Sequence, residues 1–358
     1  MTDTLTPAEV FPPGDYLREE LEARAWTVTD FAQVIDRPVQ TVSEILNNRK
    51  EITPETATEI AAALGTSPEL WLGLQNAYRL HSVRNNPHLT AVQRRAKLRR
   101  RLPLGEVQKK GWIPQTKDLD LVEAEVCRFL RIRDLDEEPH WQIAARRSNE
   151  SEETLTPSQF AWIARAASRA ETIKVRRFDG AGLERLAREL PQRLARPDSL
   201  AEVQAWLAAV GVALVVVEHL QGSKIDGASF RLDNRTPVVA LSLRGNRFDT
   251  VVFTLVHEIA HILLGHADGN HLVIDEDAAS EHPDGDIERA ANQQAQAWLF
   301  PVPLNLPTPI TQNKVLRAAD ELGVHPALLI GHLQWNGKLP WSSLRHLIPK
   351  AKDLVSFT

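Results

Sequence analysis

Val251-Val252-Phe253-Thr254-Leu255-Val256-His257-Glu258-Ile259-Ala260-His261-Ile262-Leu263-Leu264 decides how the second half of this chain folds. Its side chains are nearly all apolar, which predicts a buried helix from about Phe248 to Gly265. His257, Glu258 and His261 interrupt that pattern. On a helix, positions i and i+4 lie nearly on one face, about 6 Å apart along the axis. His257 and His261 therefore aim together, and two imidazoles so placed can reach one Zn²⁺ at about 2.0–2.1 Å. Glu258 is turned by about 100° and can hold a water beside the metal instead of binding it. Polar residues inside so apolar a helix need partners, and a metal with its water supplies them. The bland alternative is a pair of hydrogen-bonded core histidines beside a buried glutamate.

A catalytic zinc takes a third protein ligand and keeps a position open. Downstream, His266, His271, Glu276, Glu281, His282 and Asp284 all offer donors. Glu288 is the best candidate, because it falls in the first turn of a second helix expected from about Asp286 to Phe300. Ala290, Ala291, Ala295 and Ala297 let that helix come close to the first. Asn292 shares the Glu288 face at i+4 and can orient a ligand from behind. On its own, a glutamate near a helix start would simply favour the helix dipole.

Further upstream, VALVVVE (Val212–Glu218) is rich in β-branched residues and reads as a strand. Gly227–Leu232 and Val238–Leu243 read as two more, joined around Asp233-Asn234. Val238–Leu243 is expected at the sheet edge, where a substrate could add as a further strand. Helices are expected at Leu183–Leu190 and Leu200–Val210, and again at Val315–Leu322 and Pro326–Gln334.

The stretch from Gly222 to Pro301, with GSKIDGASF, FTLVHEIAH and ERAANQQAQAWLFP, resembles the ImmA/IrrE metallopeptidases. Their pattern is H-E-x-x-H, a variable loop, E-x-x-A-N-x-x-A and a Leu-x-Pro. Here it is carried by His257, Glu258, His261, Glu288, Ala291, Asn292, Ala295 and Leu299-Phe300-Pro301. The resemblance implies a zincin-like domain with a small β-sheet, in which His257, His261 and Glu288 hold Zn²⁺ and Glu258 is the general base. It also implies cleavage or inactivation of a partner repressor in response to stress. Gln294 departs from the usual aromatic residue, which alters packing and spares the ligands. Many zinc peptidases add a tyrosine or histidine donor for the oxyanion. The only tyrosines are Tyr16 and Tyr78, far upstream, so His266, His271 or an arginine are the candidates.

At the other end, short helices follow one another: Gly14–Ala25, one capped by Thr27 or Thr29, and one from Pro38 to about Leu46. Thr53-Pro54 and Ser67-Pro68 start two more. This is the outline of a five-helix helix-turn-helix domain. Pro12–Leu80 resembles the HigA-type antitoxins of the XRE family, and the resemblance implies a lambda-repressor-like fold with Pro38–Leu46 as recognition helix. Gln40, Thr41 and Glu44 would then face bases, and Arg37, Ser43, Asn47, Arg49 and Lys50 would lie near phosphates. Asp36 stands where the family usually has glycine. The alternative for this domain is protein association only.

Charge is unevenly spread. Residues 1–80 hold six basic and thirteen acidic side chains, a balance of −7. Arg84 to Lys110 holds nine basic residues against Glu106, a balance of +8. That segment is either a solvated helix or a phosphate-contacting one. Cys127 is the only cysteine, so no disulfide within the chain and no cysteine zinc site can form. The start lacks a signal-peptide pattern, and no run is long enough for a membrane span. A cytoplasmic protein with no membrane partner is expected.

The fold class is therefore α+β. The expected division is 1–80, a helix-turn-helix domain; 81–112, a basic linker; 113–180, a helical middle region; 181–305, the metallopeptidase domain; and 306–358, a C-terminal helical unit. Trp141 and Trp162 are expected to be packing residues. The expected partners are operator DNA, a second copy of the chain, and a protein substrate such as a repressor or toxin–antitoxin component. Two functions remain: a DNA-binding regulator with an active zinc endopeptidase, or an antitoxin-like repressor whose zinc domain only senses or binds.

Overall fold

The computed structural model describes residues 10–83, 87–137, 155–233, 235–269, 271–275, 285–302, 304 and 306–354. The chain divides into two compact units, 1–96 and 97–358.

The first unit contains α1 (Pro13–Ala23), α2 (Val28–Val34), α3 (Val39–Leu46), α4 (Pro54–Leu64) and α5 (Pro68–Val83). Thr27 and Asp30 form a reciprocal cap at the start of α2. Thr53 caps α4, with Pro54 at its first position. Leu17, Phe31, Val42, Ile45, Ala57, Ile60 and Trp71 fill the core between these helices. Asp36, which stands in the usual glycine position, adopts φ +50°. Aspartate is among the few side chains that tolerate this left-handed conformation, so the turn survives the exchange. Pro38 caps α3 from outside instead of opening it.

Helix α6 (Pro87–Arg101) and α7 (Leu104–Lys109) follow. Here the structure differs from the expected linker. Leu98, Leu102 and Val107 are fully buried, in one core with Val122, Val126, Phe160, Trp162 and Ile163. Apolar residues spaced along a basic sequence make these helices part of a packed unit. Arg84 and Trp141 lie outside the described residues, whereas Trp162 is a core residue as expected.

The second unit continues with α8 (Leu119–Leu130), α9 (Pro157–Ala170), α10 (Gly180–Arg193), α11 (Val203–Ala209), β1 (Ala213–Val216), β2 (Gly227–Leu232) and β3 (Thr236–Leu241). Next come α12 (Phe248–Leu263), β4 (Val273–Asp275), α13 (Asp286–Leu299), α14 (Gln312–Leu322) and α15 (Pro326–Trp335). The sheet order is β1-β3-β2-β4, with β1 parallel to β3 and the other pairs antiparallel. The β2–β3 hairpin turns at Asp233, φ +46°, and Asn234 lies outside the described residues.

Both faces of the sheet are covered, which explains why VALVVVE lacks polar alternation. Val212, Leu214, Val239 and Leu241 enter a core with α10, α12, α13 and α15. Ala213, Val215, Val238 and Ala240 enter the opposite core, with α8 and α9. The middle region is therefore the lid of the sheet's second face, packed into the same unit as the metallopeptidase-like segment. The expected edge position of Val238–Leu243 is overturned: β3 lies inside the sheet, between β1 and β2. The edge beside β2 is held by β4, a strand of three residues and too short for periodicity to reveal.

Candidate metal centre and DNA-reading helix

Helix α12 is buried along almost its whole length. Its first turn is anchored by Arg247, which donates to Asp249 at 3.1 and 2.7 Å and to Gln334 of α15 at 2.7 Å. Ala291 and Ala295 of α13 are fully buried against it. The small side chains allow the close approach that brings Glu288 to the histidines.

The i,i+4 spacing has the expected consequence. His257 Nε2 and His261 Nε2 stand 2.9 Å apart. Glu288 Oε2 is 3.2 Å from His257 Nε2, and Glu288 Oε1 is 3.5 Å from His261 Nε2. A fourth residue joins them: Asp275 Oδ2 lies 2.9 Å from His257 Nε2. The donor atoms of His257, His261, Asp275 and Glu288 all lie within 4.8 Å of one another. Two donors bound tetrahedrally at zinc distances are about 3.3 Å apart, so this spacing matches a common cation. Two facing imidazole nitrogens flanked by two carboxylates are a donor set that a cation satisfies. Glu258 is fully buried beside them, and among the described residues neither of its carboxylate oxygens has a well-formed hydrogen bond. Such a group is costly unless a partner arrives. The residues present therefore fit a metal.

Electrostatics follow from burial and these contacts. Burial works against charge on His257, but Asp275 and Glu288 outweigh it and push the imidazole up to about 10. Burial and the neighbouring Asp275 and Glu288 carboxylates push Glu258 well above the usual carboxylate range. Burial also opposes ionisation of Asp275, yet His257 holds it below the ordinary aspartate value.

Other expected site residues fall around this centre. His266 sets its Nδ1 2.9 Å from His261 Nδ1, behind the ligand. Burial, then His261, lowers the His266 pKa. Asn292 is buried one turn beyond Glu288, and its Oδ1 has no partner among the described residues. His271 is exposed. Glu276, Glu281, His282 and Asp284 lie outside the described residues. Asp275 was not among the expected ligands. Its only signal was two β-branched residues, Val273 and Ile274, ahead of an acid.

In the first unit, α3 exposes Gln40 and half-buries Thr41, Ser43 and Glu44, while Asn47, Arg49 and Lys50 are exposed just beyond it. Gln40 donates to Glu44 at 3.1 Å, so these two expected readers hold each other. Asn47 donates to the Ser43 carbonyl at 2.8 Å. Arg37 donates to both carboxylate oxygens of Glu59 at 2.9 and 2.8 Å, which ties the turn to α4. It would have to leave Glu59 to reach a phosphate.

Fold and geometry define a class: a regulator-type DNA-binding domain in a chain that also carries a metallopeptidase-type domain. Residues 17–71 match the family described as Helix-turn-helix, and residues 212–327 match the IrrE N-terminal-like domain. An uncharacterized HTH-type transcriptional regulator of Escherichia coli K12, YddM, is 30% identical over 82 residues, covering 23% of this chain and 87% of the relative. A second HTH-type regulator, from Haemophilus influenzae, is 39% identical over 74 residues, covering 20% and 69%. A solved HigA-family addiction module antidote protein from Coxiella burnetii is 31% identical and covers 24% of this chain and 94% of its own, with TM-score 0.23. Through its first domain the chain belongs to the helix-turn-helix family of transcriptional regulators. Among the described residues, no helix is long and apolar enough to cross a membrane.

Proposed function

We propose that this chain is a cytoplasmic, dimeric DNA-binding regulator whose second unit is a zinc-dependent endopeptidase acting on a partner protein, such as a repressor or a toxin–antitoxin component. The observation that carries the reading is the convergence of His257, His261 and Glu288 beside a fully buried Glu258. When bound, zinc supplies Lewis acidity toward a carbonyl and toward water. His257 and His261 would present Nε2 to it, and Glu288 a carboxylate oxygen. Glu258 would take the proton from the attacking water and return it to the leaving amine. Burial, then the neighbouring Asp275 and Glu288 carboxylates, raise the Glu258 pKa, which makes its carboxylate a stronger proton acceptor. His266 would orient His261 through the opposite ring nitrogen.

At the DNA end, α3 would enter the major groove, with Gln40, Thr41 and Glu44 toward bases and Ser43, Asn47, Arg49 and Lys50 toward the backbone. One such helix reads few base pairs, which is why a dimer on two half-sites is proposed. The alternative, an antitoxin-like repressor with a non-catalytic zinc domain, has one observation in its favour: Asp275 is a fourth potential donor in the same cluster.

The test pairs metal analysis with cleavage. The chain is purified without chelator, and its zinc content is measured. It is then co-expressed with the repressor or toxin–antitoxin proteins encoded beside it, alone and as Glu258→Gln. About one zinc per chain, with loss of a neighbour only when Glu258 is intact, supports the reading. Absence of metal, or loss of the neighbour that is indifferent to Glu258→Gln, rejects it.

A further inference from the structure

We propose that Asp275 is a fourth protein ligand of this metal, so that the chain as folded fills with its own carboxylate the position a peptidase must keep open. On this reading a substrate enters only when β4 gives up the edge of β2. The inference rests on the zinc reading of the site and adds a regulated state to it.

Three observations carry it. The first is distance. Asp275 Oδ2 is as close to His257 Nε2 as His261 is, 2.9 Å in each case, and closer than Glu288 at 3.2 Å. Two histidines and two carboxylates complete the four-coordinate number typical of closed zinc sites, whereas catalytic sites stop at three protein ligands. The second is burial. Asp275 is 4% exposed, on a strand of three residues, with an isoleucine and a valine as its strand neighbours. An aspartate so placed needs a cation or several donors, and His257 and Glu258 are the side chains it meets.

The third is the way the strand is held. β4 pairs antiparallel with β2 in the register Gly227↔Asp275, Ala228↔Ile274 and Ser229↔Val273. The Asp226 N–H also donates to the Asp275 carbonyl at 2.8 Å. β2 lies against α12, and position 227 touches Glu258. An extended peptide bound for cleavage between Glu258 and the metal would use the free edge of a strand so placed, by strand addition. The chain's own β4 already uses it. With three residues and a single register, β4 gives up few ladder hydrogen bonds on leaving, so a longer incoming strand can replace it. Its departure would also withdraw Asp275 from the metal, so edge occupancy and metal access change together.

The experiment uses the full chain loaded with Zn²⁺ or Co²⁺, as wild type, Asp275→Ala and the isosteric Asp275→Asn, with folding checked by circular dichroism. Zinc affinity is measured by chelator competition, the cobalt visible spectrum reports coordination, and acetohydroxamate serves as a probe for an open position. The expected result is zinc binding weakened by about 10–100-fold in both variants, a changed cobalt spectrum, and acetohydroxamate bound about tenfold tighter or more than by wild type. Equal zinc affinity, spectrum and hydroxamate binding in wild type and either folded variant overturns the proposal while leaving the zinc reading intact. A wild-type chain that binds neither metal overturns both.

Discussion

Gly227 and Glu258 are packed so closely that a Cβ on Gly227 would stand 2.2 Å from Glu258 Oε1. The absent side chain makes room for the carboxylate to lie between β2 and the metal ligands. Gly227→Ala is expected to cost about 1–3 kcal/mol, the usual penalty for overpacking a filled interior. Denaturant unfolding measures that cost. Zinc content should survive while cleavage falls, since the substitution displaces Glu258 and leaves His257, His261 and Glu288 in place.

The ligands and the base should separate by their effects on metal. His257→Ala, His261→Ala and Glu288→Ala are each expected to lower zinc content measured by elemental analysis, whereas Glu258→Gln should retain it. Normal zinc binding by Glu288→Ala would remove Glu288 from the ligand set.

In metal-free protein, stability should depend on pH through His257. Its folded pKa, about 10, lies above the ordinary histidine value because Asp275 and Glu288 favour the charged form. A raised folded pKa contributes stability that is fully present below about 6.5 and is lost as pH climbs through about 10. His257→Gln should therefore destabilise chelator-stripped protein more at pH 6 than at pH 10, as measured by urea unfolding. Zinc uptake near neutral pH should release a proton, visible as a dependence of binding heat on buffer.

Arg37 and Arg49 should behave differently on DNA. Arg49→Ala is expected to weaken binding to all sequences and to flatten its salt dependence, and Gln40→Ala to relax specificity. Arg37→Ala should instead loosen the first unit only slightly, since its pair with Glu59 is partly exposed. The salt slope of DNA binding should stay unchanged. A flattened slope would show that Arg37 leaves Glu59 for a phosphate.

Much of the site was legible because the H-E-x-x-H spacing carries its own geometry: four residues on a helix bring two imidazoles together whatever surrounds them. Glu288 was legible through the alanines that let its helix approach. Asp275 was hidden because its place is set by pairing with β2, a long-range contact that three residues of sequence do not announce. The inside position of β3 was missed for a related reason. An unbroken apolar strand is compatible with burial on two faces, yet its neighbours depend on topology. Likewise, the charges of Arg84–Lys110 masked Leu98, Leu102 and Val107, whose spacing ties the helices to the core. Arg101 makes the same point, since it donates to the Leu135 carbonyl from within that basic run.

The double coverage of the sheet bears on how the protein can be cut into pieces for study. A fragment beginning at residue 181 would keep every metal donor and would look complete by motif. It would also strip α8 and α9 from Ala213, Val215, Phe230, Val238 and Ala240, turning a dry interior into a bare apolar surface. Monomeric soluble proteins seldom carry such patches, and self-association is the usual result. The smallest soluble piece bearing the metal centre should therefore start near Lys97, well ahead of the segment that announces it.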